Sequence, residues 1–229
     1  MLACMRTVST AFAVLMVAVI TGFASANSPN GEAGKSIPQI LADVQAAAGR
    51  AHSVHVTGSD PSGTSPFSLD LQLVAGRGGE GTIDEGTLDF RIVRIGGKAY
   101  FEGGTAFWRH FTGAGGAELF KGKWIEASAT SGQFASLTSL TSISTFFHQV
   151  LGSHGTLVEG KTTMIRGRPA LALVDTTQGG TLYIAATGPP YPLEVTSPGG
   201  KGAVSFEDWN QPVRLAVPPD AISLASLKG

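Results

Sequence analysis

The chain has 229 residues, 14% of them charged, a formal net charge of −1 at pH 7 and a single cysteine, Cys4. A balance this close to neutral leaves no basic footprint for nucleic acid, and one thiol excludes an intrachain disulfide framework and a cysteine-rich zinc site. The 31 glycines are scattered between short apolar runs rather than gathered in a triplet repeat, which is how a chain of short strands and turns is punctuated.

Residues 1–26 divide into a short start carrying Arg6, an apolar run over 8–20 and a small-residue exit, Ala24-Ser25-Ala26. This is the layout of a cleavable signal peptide, with the cut after Ala26. The apolar run is shorter than the roughly 20 residues of an ordinary membrane-spanning helix. The protein is therefore expected to be secreted or held in the cell envelope, outside the cytoplasmic membrane. Cys4 precedes the apolar run, so it is no lipoprotein-type acylation site. The mature chain then has no thiol and a net charge of about −2 after Arg6 is removed. Its length of about 200 residues suits one domain.

Residues 27–35 are polar and glycine-rich, a flexible leader, and a single domain is expected over 36–229. Ser36 is placed to cap a helix running to Arg50, with Ile37, Ile40, Leu41, Val44 and Ala48 at helical spacing. Strand-length runs follow. Phe67, Leu69, Leu71 and Leu73 alternate with Ser68, Asp70 and Gln72, and Leu88, Phe90 and Ile92 alternate with Asp89 and Arg91. Further strands are predicted at 54–58, 98–102, 123–127, 157–165, 170–175, 181–185, 193–196, 203–207 and 213–217. A second helix is predicted over 137–151, where Leu140, Ile143, Phe147 and Val150 form one stripe. Short polar turns favour antiparallel neighbours, which gives an α+β fold around one large curved or twisted sheet.

The sequence offers little for catalysis. Gly34-Lys35-Ser36 imitates the end of a phosphate loop, but Pro29 stands where the first glycine belongs. His52 and His55 alternate to opposite faces of a strand, and His110, His148 and His154 are isolated. No G-x-S-x-G elbow or H-E-x-x-H run occurs. No enzymatic activity, catalytic residue, metal or cofactor is expected. Aromatic residues instead gather mid-chain: Phe67, Phe90, Tyr100, Phe101, Phe107, Trp108, Phe111, Phe120 and Trp124. Two short helices do not cover a sheet of about ten strands. An open apolar face formed by Phe67, Leu69, Leu71, Leu88, Phe90 and Ile92, flanked by Leu140, Ile143 and Phe147, would accept an acyl chain.

Several segments carry a family resemblance. They are the helix-first opening, Lys123-Trp124-Ile125-Glu126, Gly167-Arg168-Pro169-Ala170-Leu171, Thr181-Leu182-Tyr183-Ile184 with Gly188-Pro189-Pro190-Tyr191-Pro192-Leu193, and Val204-Ser205-Phe206-Glu207-Asp208-Trp209 with Val217-Pro218-Pro219. Together they resemble the LppX/LprG family of actinobacterial lipoproteins, relatives in fold of the LolA-type carriers. The resemblance covers most of the mature chain. It implies an antiparallel half-barrel with helices on its concave face and an apolar cavity that binds or transports acylated lipids. The family's acylated cysteine is absent, with Asn27 at the expected mature terminus, so any membrane contact would be transient. The rival expectation is an interaction or sensor module for envelope proteins on the same scaffold, with the stretch 108–124 as its surface.

Overall fold

The computed structural model describes residues 28–62, 66–130 and 132–227. The expected signal peptide, its cleavage point and Cys4 lie outside the described residues. Asn30, in the expected flexible leader, is tied down: its side-chain amide donates to the carbonyls of Ala185 (2.7 Å) and Gly188 (3.1 Å). Lys35 joins Glu32 and Asp43 in ion pairs of 2.8 and 2.7 Å. The leader from Asn30 onward is thus fastened to the folded body.

Helix α1 (Ile37–Arg50) begins where Gln39 Oε1 accepts from the Ser36 backbone N–H at 3.1 Å, with a proline in the first turn. It buries Ile40, Val44, Ala47 and Ala48. A meander follows: β1 (Ser53–Asp60), β2 (Phe67–Val74), β3 (Gly78–Glu85), β4 (Leu88–Ile95) and β5 (Lys98–Gly103). The chain then crosses as α2 (Thr105–Phe120), returns in β6 (Ile125–Ser128) and forms α3 (Ala135–Ser139) and α4 (Ile143–Gly152). β7 (Leu157–Glu159), β8 (Thr163–Ile165), β9 (Arg168–Asp175), β10 (Thr181–Ala185), β11 (Pro192–Thr196) and β12 (Ala203–Glu207) come next, and a two-residue β13 (Ile222–Ser223) comes last.

Among the described residues the thirteen strands join one sheet in the order β13-β6-β5-β4-β3-β2-β1-β12-β11-β10-β9-β7, with β8 also on β9. The pairing of β13 with β6 is parallel, and the sheet is otherwise antiparallel, curved and open. The α+β expectation holds. Strand residues Val56, Leu71, Leu73, Phe90, Ile92, Phe101 and Ile125 form one buried cluster with Ile40 and Val44 of α1, Phe107 and Trp108 of α2, and Ile143 and Phe147 of α4. The helices therefore cover the inner face, with α1 packed on α4 and α2 on β4 and β5. The outer face is laced with charge: Arg91 pairs with Glu102 at 2.8 Å and lies over the Trp124 ring. Arg166 pairs with Glu194 (2.8 Å) and Glu207 (2.9 Å).

Several expectations need correction. β3 was not predicted, because Gly78, Gly79 and Gly81 are poor strand formers. They are required here by close approach: a Cβ on Gly79 would sit 2.7 Å from the Gln72 carbonyl oxygen, and one on Gly81, at φ +157°, would collide with that of Asp70. The two expected helices are four α-helices among the described residues. α2 was missed because Gly113, Gly115 and Gly116 obscure its pattern. The expected helix over 137–151 is two helices. Its hydroxyls compete for the backbone, with Thr138 Oγ1 donating to Ala129 O (2.7 Å) and Thr141 Oγ1 to Thr138 O (2.7 Å). The expected strand 157–165 is split into β7 and β8. Residues 213–217 form no strand, since Pro212, Pro218 and Pro219 hem them in.

β9 ends at Asp175, which is 8% exposed. Its carboxylate accepts backbone N–H bonds from Gly155 (2.6 Å), Gln178 (2.8 Å) and Thr177 (2.9 Å). These bonds, led by that from Gln178, hold its pKa below the usual carboxylate value against the opposing effect of burial. The resulting stabilisation is fully present above the unfolded pKa of about 3.9 and is lost as pH falls through the lower folded value. Asp175→Asn should lower the melting temperature at neutral pH and flatten its fall below about pH 4. Thermal melts of both proteins across that range check this.

Candidate functional site

Register places the predicted strand residues side by side. Phe67, Leu69 and Leu71 oppose Glu85, Ile83 and Gly81 of β3, which in turn oppose Leu88, Phe90 and Ile92 of β4. All six share the inner face. Leu71 and Ile92 are fully buried and Phe90 is 6% exposed, whereas Phe67, Leu69 and Leu88 are half-buried towards one end of the strands. Phe90 stacks on Phe107 of α2 at 4.8 Å. Ile143 and Phe147 are buried beneath α4, with the Phe147 ring 5.0 Å from Phe206. Leu140, between α3 and α4, is half-buried against the same core. The centre of the predicted face is thus packed by helices rather than open.

Open space lies at the β6 end of the sheet. A cavity of about 660 Å³ is bounded by Phe111 and Thr112 of α2, Gly97, Lys98, Glu126, Ala127 and Ser128 at the strand ends, Gln133, and Ser223, Leu224 and Ala225. α2 departs from helical geometry at Gly113 (φ 76°, ψ −177°), directly after Phe111 and Thr112. Only glycine takes this conformation at low cost. The Phe111 ring sits 4.8 Å from Phe107 and 5.1 Å from Phe134, and Phe134 stacks on Phe101 at 4.6 Å. Phe111 therefore stands between the cavity and the aromatic cluster that reaches Phe90. Among the lining residues, Lys98 Nζ meets Glu126 Oε2 at 3.1 Å. That hydrogen bond raises the Lys98 pKa and keeps its ammonium charged.

A narrower apolar slot of about 60 Å³ separates α1 and α4 from the sheet, lined by Leu41, Val150, Leu151, Leu173, Leu182 and Val195. Sequence reasoning missed both spaces. Phe111 looks no different in sequence from Phe107 or Phe120, which are buried, and Leu224 lies outside every predicted element. In the stretch 108–124, expected as an interaction surface in the rival reading, Trp108, Ala117 and Phe120 are buried in the core, while Arg109, His110, Glu118, Leu119 and Lys121 are exposed.

The histidines assemble no reactive group. His55 is held on β1 by Asp70 (2.8 Å) and Asp208 (3.7 Å), and His52, His110, His148 and His154 are exposed. Among the described residues no three His, Cys, Asp or Glu side chains are placed to hold a metal. Among the same residues no helix is long and apolar enough to cross a membrane. The arrangement offers a cavity in which Phe111, Ala127, Leu224 and Ala225 provide apolar surface beside the Lys98–Glu126 pair and the polar side chains of Thr112, Ser128, Gln133 and Ser223.

No known family profile matches the sequence, and no curated protein matches it either. Similar folds occur among solved structures. A complex of MucB with MucA is 13% identical over 80% of this chain and 59% of that one, with a TM-score of 0.37. MucB alone gives 16% identity over 80% and 60%, with a TM-score of 0.35. LprF from Mycobacterium bovis is 17% identical over 83% of this chain and 99% of its own, with a TM-score of 0.50, so this chain shares the LprF fold.

Proposed function

We propose that this protein binds acylated lipids in the cell envelope or outside it, as a carrier or binder that performs no chemistry on them. The observation that carries the reading is the cavity beside Phe111, whose volume of about 660 Å³ lies within the roughly 300–1,000 Å³ usual for ligand sites. Each methylene placed there gains about 0.8 kcal/mol and demands no exact polar geometry. Lys98 and Glu126 in the lining suit a polar headgroup. Leu69, Leu71, Phe90, Ile92, Ile143 and Phe147 do not line this cavity, and a longer chain would approach Phe90 only by displacing Phe111 and Phe107. The signal-peptide layout of residues 1–26 supports the location, and the LprF-like fold is compatible with it.

Parinaric acid, a fluorescent polyene fatty acid, tests the assignment. Phe111→Asp puts a carboxylate in the apolar wall and should weaken binding at least tenfold, about 1.4 kcal/mol. Because Phe111 is half-buried, the variant should still fold, as circular dichroism would show. A folded Phe111→Asp protein with unchanged affinity would refute the site.

A further inference from the structure

The cavity is bordered on one side by the segment with the shortest strand pairing among the described residues, whose Ile222 and Leu224 are only partly buried against the core. β13 pairs through two residues, Ile222 with Ile125 and Ser223 with Glu126, in the parallel sense. Its anchor is the Ile222 N–H, which donates to the Trp124 carbonyl at 2.9 Å. Directly after it, Leu224 and Ala225 line the cavity across from Phe111 and Ala127. The approach over residues 212–220 has no regular secondary structure and includes Pro212, Pro218 and Pro219, which have no N–H to give. Parallel pairing is slightly weaker per residue than antiparallel. Segments with few buried contacts open at free energies well below that of global unfolding.

We infer that Ile222–Ala225 is a displaceable strap that gates the lipid cavity, leaving the β6 edge and rejoining it as ligand enters and leaves. This rests on the lipid reading above and specifies how that site is controlled. Strap opening exposes the cavity wall at Ala127 and Phe111 in one motion, because Ser223 lies on both the pairing and the lining and Leu224 and Ala225 of the lining follow it directly. A strap that only gates passage changes rates of entry and exit together and leaves the equilibrium affinity nearly unchanged.

The test is a disulfide clamp, Glu126→Cys with Ser223→Cys, in the full chain carrying Cys4→Ser. Stopped-flow fluorescence of parinaric acid should show uptake and release both slowed at least tenfold in the oxidised clamp relative to the same protein reduced. Uptake at the wild-type rate in the oxidised clamp overturns the proposal. So does failure of the two thiols to oxidise, which thiol titration reads. Hydrogen exchange supplies a ligand-free measurement: the Ile222 amide should exchange at least a hundredfold faster than that of Phe101, and equal protection overturns the strap. If wild type and clamp alike take up no parinaric acid, the lipid reading fails by itself, and Ile222 exchange still decides whether the strap opens.

Discussion

Replacing Trp108 with alanine should destabilise the protein by about 3–5 kcal/mol, the cost of emptying a fully packed aromatic site. Trp108 has no exposed surface. Its ring meets Phe107 edge-on at 5.0 Å, Phe120 at 5.4 Å and Phe134 at 6.4 Å. These contacts pin both halves of α2, on either side of the break at Gly113, to each other and to Phe134 at the start of α3. In a domain of about 200 residues the loss corresponds to a fall in melting temperature of about 6–20 °C. Differential scanning calorimetry measures it. A fall of under 3 °C would mean that α2 does not close the core as described.

A single methyl group on Gly81 should be almost as damaging. At φ +157° this residue adopts a backbone conformation that L side chains rarely share, and its new Cβ would run into the Asp70 carbonyl oxygen and lie 2.9 Å from Leu71 Cα. Strain of about 1–3 kcal/mol is compounded by the shift forced on β2. That shift moves Leu71, which is fully buried, and loosens the wall it shares with Ile92. We expect Gly81→Ala to lose about 3 kcal/mol or more, seen as a lower urea midpoint, while Gly76→Ala in the preceding turn, at φ +68° but with a Cβ that meets nothing within 4 Å, should cost only about 1–2 kcal/mol, that of the left-handed backbone. Equal losses from the two substitutions would contradict the close-approach account.

What the sequence conveyed and what it hid follow from the same physics. Alternation in β2 and β4 revealed which side chains share a face, because a period of two survives wherever one face is buried. The α1 stripe was legible for the equivalent reason at helical spacing. Glycine erased both signals: β3 needs glycines where the neighbouring backbone comes close, and α2 needs one at its break. Hydroxyl-rich residues 138–142 kept an apolar stripe but ended the helix locally. The cavity was the least legible feature. Whether Phe111 is core or wall depends on how α2, Gln133 and the segment after Asp220 meet at one end of the sheet. No local pattern encodes that meeting. Hence the predicted face was identified as a face, while its centre proved to be packed core, and the open volume lies beside it.

Native mass spectrometry of the protein isolated from its producing cells without detergent is the most direct test of lipid binding. The account predicts a folded species heavier than the polypeptide by the mass of one acylated molecule, converted to the bare polypeptide mass by organic extraction and restored by incubation with acyl ligand. A folded protein of bare polypeptide mass before extraction, which gains no acyl ligand on incubation, would contradict it.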